Sequence, residues 1–593
     1  MLAEILRSAQ EAVSAASQGA LSEKDITFEI PPDSTLGDLA FPCFVLAKKQ
    51  KTSPHKLAAE VAKAIQPAGW IAGASAAGPY VNIRLNRPAV AKEVLRAAQK
   101  EKGKYGTTIR KKAKRVLIEY VQPNTNKPLH LGHLRNGLLG TSIAALLASQ
   151  GHTAIKVNIV NDRGIHIAKS VLAYEKWGNN ESPQSTGEKG DHFVGRFYVR
   201  FEQELQKEKQ AWLNGKQSTD DLDGQFLVSS ALMREARELL KRWEANDPAV
   251  RKIWKKMNGW VLTGFASTYQ KLGIEFEKEY YESEIYQGGK EIILEGVKKG
   301  VFRKSEDGSV VALLQEKFGL PDKVLLRKDG TSLYITQDVN LAFIKNKEFH
   351  PDASIYVVGS EQELYFKQLF GILQLLELPN AERLVHLSYG YVSLPEGRMK
   401  SREGRVVDAD DLLDELVKLA HEEVQKRYQD LSAKEQEHRA HAIALAGLKF
   451  HFLMVSKDAA MTYDPKASIA FEGNTGPYLQ YTYARAKSIL AKAGEKPKLP
   501  SSLALQDNGE WQLVLSILRF PQNVSTAAEA YDPGKLANAL LEIAQLFNTF
   551  YHDQPVLKAE EPLRSQRLAL VHAAATTIQN GLRMLGIETL EVM

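Results

Sequence analysis

The run Val116-Leu-Ile-Glu-Tyr-Val-Gln, followed by Pro-Asn-Thr-Asn-Lys-Pro-Leu and then His130-Leu-Gly-His-Leu-Arg-Asn, constrains the fold more than any other stretch. Its first part reads as a buried strand, and the apolar spacing after Leu129 reads as a helix. Pro123 and Pro128 mark the turn between them, and Pro128 falls near a first helical position, where its missing N–H is not needed. The strand therefore delivers the chain to a helix N-terminus, whose free N–H groups and partial positive charge suit a phosphate. His130 and His133 share the face of the first turn, and Gly132 between them lets a ligand approach the backbone closely. Ala154 to Val160 makes a second buried strand, ending at Asn161-Asp162-Arg163-Gly164. Strand, helix and strand within about 45 residues form the βαβ unit of a doubly wound parallel sheet, whose ligands sit at the carboxyl ends of the strands.

A chain of 593 residues is expected to make several domains. Residues 1–110 begin with an amphipathic helix and end with the alternating strand Gly78 to Leu85, which predicts a small α+β domain. Residues 111–410 hold the α/β doubly wound, Rossmann-type sheet, with a helical, charged insertion at about 170–300. Residues 411–593 read as helical almost throughout, an all-α bundle. No apolar run is long enough for a membrane span, and Met1-Leu-Ala-Glu does not open like a signal peptide. Cys43 is the only cysteine, which excludes internal disulfides and cysteine-rich zinc sites and fits a reducing cytoplasm. No metal ligand set is predicted. A net charge of +6 permits a nucleic-acid partner without demonstrating one.

In the second half, Asp329-Gly330 between two strand-like pieces predicts a hairpin turn. Tyr334 and Asp338 then share one side of a helical turn. A strand at Ile355 to Val358 is followed by a helix containing Gln368, and a strand at Val385 to Val392 leads into Gly397-Arg-Met-Lys-Ser-Arg-Glu-Gly404. That loop is rich in cations and small residues, as a triphosphate-gripping loop must be. Glu119 stands in an apolar strand, where a carboxylate is expensive unless it has a partner. Tyr478, Tyr481 and Arg485 share a helix face, a pattern that stacks bases and meets phosphates but is equally common in a core.

The string from Pro123 to His133, with Asn124 and Lys127 in place, resembles the nucleotide-binding signature of class I aminoacyl-tRNA synthetases in its arginyl version. The loop at 397–404 is similar to the second signature, usually Lys-Met-Ser-Lys-Ser, although Arg398 stands at the first lysine and Ser401 at the second. Arginyl enzymes often lack that second lysine, and the residue matching Lys127 is then thought to supply the charge. Phe471 to Tyr481 resembles the opening of the arginyl anticodon-binding domain, and residues 1–110 resemble the N-terminal domain that contacts the tRNA elbow.

The resemblance implies arginine, ATP with its Mg2+, and tRNA(Arg) as partners of a monomeric cytoplasmic ligase. Lys127, His130 and His133 would be catalytic, and His130, Gly132, His133, Arg398, Met399, Lys400, Ser401 and Arg402 would hold ATP. Glu119 and Asp338 would face the guanidinium, a planar group with five donors that carboxylates match, with Tyr334 alongside. Gln122, Asn124 and Gln368 would handle the amino-acid head group, Gln122 departing from the usual serine, while Tyr478, Tyr481 and Arg485 would meet tRNA. Two alternatives stay open: a class I synthetase for another amino acid, or a tRNA-binding paralogue without catalysis. Glutamate would want cations where Glu119 and Asp338 stand, and cysteine would want zinc ligands. No G-x-x-x-x-G-K-[ST] string occurs.

Overall fold

Alternation and helical spacing in the first hundred residues produce the α+β unit they predict. Strands β1 (Leu39–Pro42), β2 (Ile71–Ala77) and β3 (Tyr80–Leu85) form an antiparallel sheet in the order β1-β3-β2, with the helix Pro54–Ala64 packed on β2 and β3. The computed structural model describes every residue except 111, 215–221, 394–406, 495–498 and 500–506.

Beyond it come β4 (Arg115–Glu119), β5 (Thr153–Val160) and β6 (Lys278–Tyr281). A small antiparallel sheet of β7 (Arg303–Lys304), β8 (Val310–Ala312) and β9 (Lys323–Leu326) follows, and then β10 (Ala353–Gly359) and β11 (Leu384–Tyr389). The main sheet has the order β11-β10-β4-β5-β6 and every pairing in it is parallel. The chain builds outward from β4 in one direction and returns to place β10 and β11 on the other side. β4 and β10 therefore flank the switch point, where a crevice opens at the carboxyl ends. The helix Leu131–Ser149 makes the first crossover and packs on β5 and on the helical region, which explains why it is apolar nearly all round. A Cβ on its Gly140 would lie 2.4 Å from the Tyr120 ring, so a side chain there would force helix and strand apart.

Three expectations change in detail. The stretch at 170–300 does hold long helices, Gly190–Leu213, Ala231–Glu244 and Pro248–Leu272 among them, but β6 within it joins the main sheet beside β5. Lys-Glu-Tyr-Tyr is too short and too polar for periodicity to reveal an edge strand. The turn at Asp329-Gly330 forms, with Leu326 bridged to Ser332, but the chain then enters the helix Tyr334–Phe349 instead of a second strand. The strand begun at Val116 stops at Glu119.

From Ala409 onward the described residues form six long helices, ending with Leu563–Met584. They are bonded to the N-terminal unit: Trp511 Nε1 donates to Asp38 Oδ1 at 2.6 Å, and the Tyr105 hydroxyl donates to the Ile517 carbonyl at 2.9 Å. One hydrophobic cluster runs from Ile5 to Leu590. Among the described residues, no helix is long and apolar enough to cross a membrane.

Candidate active site

β4 ends in a strained turn. Val121 has φ 77° and Gln122 φ 52°, left-handed values that a β-branched residue rarely adopts. Two amide side chains hold the turn: Asn136 Oδ1 accepts from the Val121 N–H at 2.7 Å, and Asn158 Oδ1 accepts from the Gln122 N–H at 3.0 Å. Strain of this kind persists only where its surroundings over-determine it, and it concentrates at ligand sites. Its effect here is to turn Gln122 and Asn124 toward the crevice, where both line a cavity of about 560 Å³.

The helix after the turn opens on a mutual cap. His130 Nδ1 accepts from the Gly132 N–H, His133 Nδ1 accepts from the His130 N–H, both at 3.1 Å, and the two rings lie 3.9 Å apart. Because each Nδ1 accepts, the proton of each neutral ring sits on Nε2 and is available as a donor. Burial and the nearby Lys127 ammonium push His130 down to about 4, against the opposing Asp408. Burial, His130 and Lys127 drive His133 well below the usual range. Burial also lowers the Lys127 ammonium. Gly132 has a second reason to be glycine: a Cβ would stand 3.0 Å from the His130 ring and disturb the cap. Arg135, wholly buried, donates to the carbonyls of Gly390 and Ser456, tying this helix to the chain that leads toward residue 394.

The cavity brings Glu119, Gln122, Asn124, Tyr334 and Asp338 together from three separate elements. Glu119 is 5% exposed and already satisfied: Oε2 accepts from Lys345 Nζ at 2.5 Å and Oε1 from Gln122 Nε2 at 3.1 Å. Among the described residues, Asp338 accepts only from the Tyr365 hydroxyl, and burial raises it to about 6, with the Glu119 charge adding to the rise. Tyr334 stands largely exposed at the first turn of the same helix and still lines the cavity.

The structure adds residues that the sequence alone did not single out. Glu282, just after β6, lines the cavity at 6% exposure, and burial raises it to about 7 against the opposing Arg163 guanidinium, 3.6 Å away. Gln362, Arg163 and Lys345 line it as well. Gln368 does not. It is buried, and its Nε2 donates to the Pro321 carbonyl at 2.9 Å, whereas Gln362, in the turn before that helix, does line the cavity. Arg398, Met399, Lys400, Ser401 and Arg402 lie outside the described residues.

Two groups of acidic and histidine side chains, Asp191–His192–Asp410 and His192–Asp408–Asp411, are close enough for a metal ion. Lysines already serve the first: Lys189 Nζ reaches Asp191 at 2.9 Å and Asp410 at 2.7 Å, and Lys271 reaches Asp410 at 3.3 Å. A donor set filled by ammonium groups suits a charge knot better than a cation site.

A second cavity, of about 480 Å³, lies in the helical region and is lined by Arg427, Phe471, Tyr478, Tyr481, Arg485 and Asn548. Tyr478 and Tyr481 are half-buried in its wall rather than core residues; the core tyrosine of that helix is Tyr483. Arg485 donates to Asn548 at 2.6 Å and to the Tyr481 hydroxyl at 2.8 Å, and its guanidinium lies 4.6 Å from the centre of the Tyr481 ring.

A parallel sheet whose first strand delivers two neutral histidines to a helix N-terminus beside a switch-point cavity is the arrangement of class I tRNA synthetases, and the family model "tRNA synthetases class I (R), catalytic domain" matches residues 94–463. The models "Arginyl tRNA synthetase N terminal domain" and "DALR anticodon binding domain" match residues 3–85 and 479–593. The arginine–tRNA ligase of Treponema pallidum is 40% identical over 96% of this chain and 95% of its own, and that of Parabacteroides distasonis is 46% identical over 81% of this chain and 80% of its own. The solved arginyl-tRNA synthetase of Thermus thermophilus superposes with a TM-score of 0.80 at 28% identity, covering 99% of this chain and all of that one. The chain belongs to the arginyl-tRNA synthetase family.

Proposed function

We infer that the protein is an arginine–tRNA ligase working in two steps. A carboxylate oxygen of arginine attacks the α-phosphorus of ATP and pyrophosphate leaves; the terminal ribose hydroxyl of tRNA(Arg) then attacks the acyl carbon and AMP leaves. The observation that carries this reading is the cavity at the switch point, which gathers the buried carboxylates Glu119, Glu282 and Asp338, with the Tyr365 hydroxyl the one donor to Asp338 among the described residues. Gln122, Asn124 and Gln362 serve the head-group end. Asp338 and Glu282, with Tyr334 beside them, take the guanidinium. Glu119, held by Lys345 and Gln122, faces the same guanidinium, the place the resemblance gives it.

Little covalent work falls to the protein in the first step, which needs two anions positioned and growing charge neutralised. The Nε2–H groups of His130 and His133, the helix N-terminus and the Lys127 ammonium are donors of the right kind for a triphosphate, with residues 398–402 completing the grip. ATP carries its own Mg2+. The Tyr478, Tyr481 and Arg485 cavity takes a tRNA base, and the N-terminal unit meets the same tRNA. We further assign a monomer acting in the cytoplasm and a division at about residues 110 and 410. Charging of total tRNA from a mixed pool of labelled amino acids tests the reading: arginine alone should become attached, and attachment of any other amino acid instead would refute it.

A further inference from the structure

Gly195 stands where a helix of the insertion meets the turn that carries Lys127 and His130. It is buried inside the helix Gly190–Leu213, among Phe193, Val194 and Phe197. Glycine in a helix interior is destabilising relative to alanine, so its presence there needs a reason. The reason is a close approach: a Cβ on Gly195 would stand 2.8 Å from Pro128 Cδ and 3.6 Å from Lys127 Cα. Those atoms belong to a proline ring and to backbone, which cannot swing aside as the tip of a long side chain can. The turn itself would have to move.

The same helix reaches the turn by a second route. Its N-terminal residues sit against the start of the helix Ala409–Arg427, where Lys189 Nζ lies 2.7 Å from Asp410 and His192 Nε2 lies 3.4 Å from Asp408 Oδ1. Asp408 pairs with His130 through a backbone bridge, and the Ala409 N–H donates to the Leu129 carbonyl. The helix Pro248–Leu272 fixes this end in place: Thr268 accepts from Lys189 at 2.7 Å, and Gly264 lies so near Asp191 that a Cβ would overlap its carboxylate. The Pro128 ring and the backbone of Leu129 and His130 are therefore held from a single helix, directly in one case and through Asp408 in the other. Neither Gly195 nor His192 lines the cavity at the switch point, so any effect on the chemistry passes through the turn.

We propose that the helix Gly190–Leu213 is the backing of the triphosphate site, with Gly195 and His192 as positioning residues that set the Lys127–His130 turn for ATP. The insertion thereby takes part in adenylate formation without touching a substrate. This rests on the reading of that turn as the nucleotide site. Donors to a triphosphate must stand in place before the reaction, and a displacement of about 1 Å costs on the order of 10² in rate.

The test is arginine-dependent ATP–pyrophosphate exchange by the full chain with tRNA present, ATP and arginine each being varied. Gly195→Ala should raise the ATP KM about tenfold and lower kcat by up to about 10², with the arginine KM within about twofold of the parent. Adding Pro128→Ala removes the ring atoms that the new methyl meets, so the double variant should recover a large part of both losses. His192 is 30% exposed, so His192→Ala leaves the core intact and serves should Gly195→Ala fail to fold. It should raise the ATP KM about threefold and leave the arginine KM alone. A purely structural helix predicts a lower Tm with parent KM values below the melting range. That result would overturn the proposal, as would equal rises for ATP and arginine, or a double variant no better than Gly195→Ala. His133→Ala separates the two readings. Loss of exchange there, with parent kinetics in Gly195→Ala and His192→Ala, sinks only the part given to the insertion, whereas full exchange by His133→Ala sinks the assignment of the turn to ATP.

Discussion

Asp338 and Glu282 are costly residues: burial lifts them to about 6 and about 7, so ionising them at neutral pH works against the folded chain. Because folding raises these pKa values, the stability lost appears as pH climbs from the ordinary carboxylate range through 6 and 7. Asp338→Asn removes one such group. At pH 8 its Tm should equal or exceed that of the parent, while its arginine KM rises by about two orders of magnitude; a lowered Tm with an unchanged KM would show Asp338 to be structural. Arginine, a cation, displaces the protons. The arginine KM should therefore climb as pH falls through 7 and then 6, about tenfold per pH unit for each proton displaced, read from initial rates at saturating ATP. Glu119 was legible as a candidate because a carboxylate in an apolar strand draws attention, and Asp338 because it falls one helical turn after Tyr334, at the position the resemblance pairs with Glu119. Glu282 and Gln362 were not, since no local pattern marks a residue beside a four-residue edge strand or in a single turn before a helix. Lys345 left a trace that could have been read: it falls seven residues after Asp338, on the buried stripe of Ile335, Val339 and Ala342.

The element on which the chemistry turns is β4 with its strained turn and the helix Leu131–Ser149. Periodicity, two prolines and the paired histidines made it readable, because each of those signals is local. Its anchoring is not local. His130 pairs through the backbone with Asp408 across the chain, and the Ala409 N–H donates to the Leu129 carbonyl at 2.9 Å. Asp408 in turn stands 3.4 Å from His192, inside the charge knot of Lys189, Asp191, Asp410 and Lys271. The two carboxylates Asp408 and Asp410 raise His192 to about 10. Burial would raise Asp410, yet His192 and Lys189 hold it far below the carboxylate range. A histidine raised on folding contributes stability that is complete below about 6.5 and is lost as pH rises toward 10; a depressed aspartate contributes above about 3.8 and is lost on acidification. The knot is thus strongest between about pH 4 and 6.5. Asp410→Asn should lower the Tm most in that window, less toward pH 10 as His192 loses its charge, and less again on strong acidification, as thermal melts across pH will report. His133→Ala should reduce kcat for adenylate formation by about 10² to 10³ with little change in fold.

Across the whole molecule, the main sheet apart from β6, the N-terminal unit and the helical region emerged from strand and helix periods, whereas the bonds joining them, Trp511 to Asp38 and Tyr105 to Ile517, link residues hundreds of positions apart and left no mark on any window of sequence. The two cavities lie in different parts of this assembly and should separate by mutation. Tyr481→Ala should raise the KM for tRNA roughly tenfold through lost stacking while leaving the arginine KM near its parent value; parallel changes in both would deny the second cavity an independent role. Selection of a planar cation by carboxylates at the switch point underlies all of these expectations. ATP–pyrophosphate exchange with tRNA present reads it without intermediaries, comparing arginine with lysine and with citrulline, which keeps the shape of arginine but not its charge. Arginine should exceed both in kcat/KM by about 10⁴ or more, since either rival leaves buried acceptors unpaired, and comparable exchange with citrulline would overturn the carboxylate basis of selection.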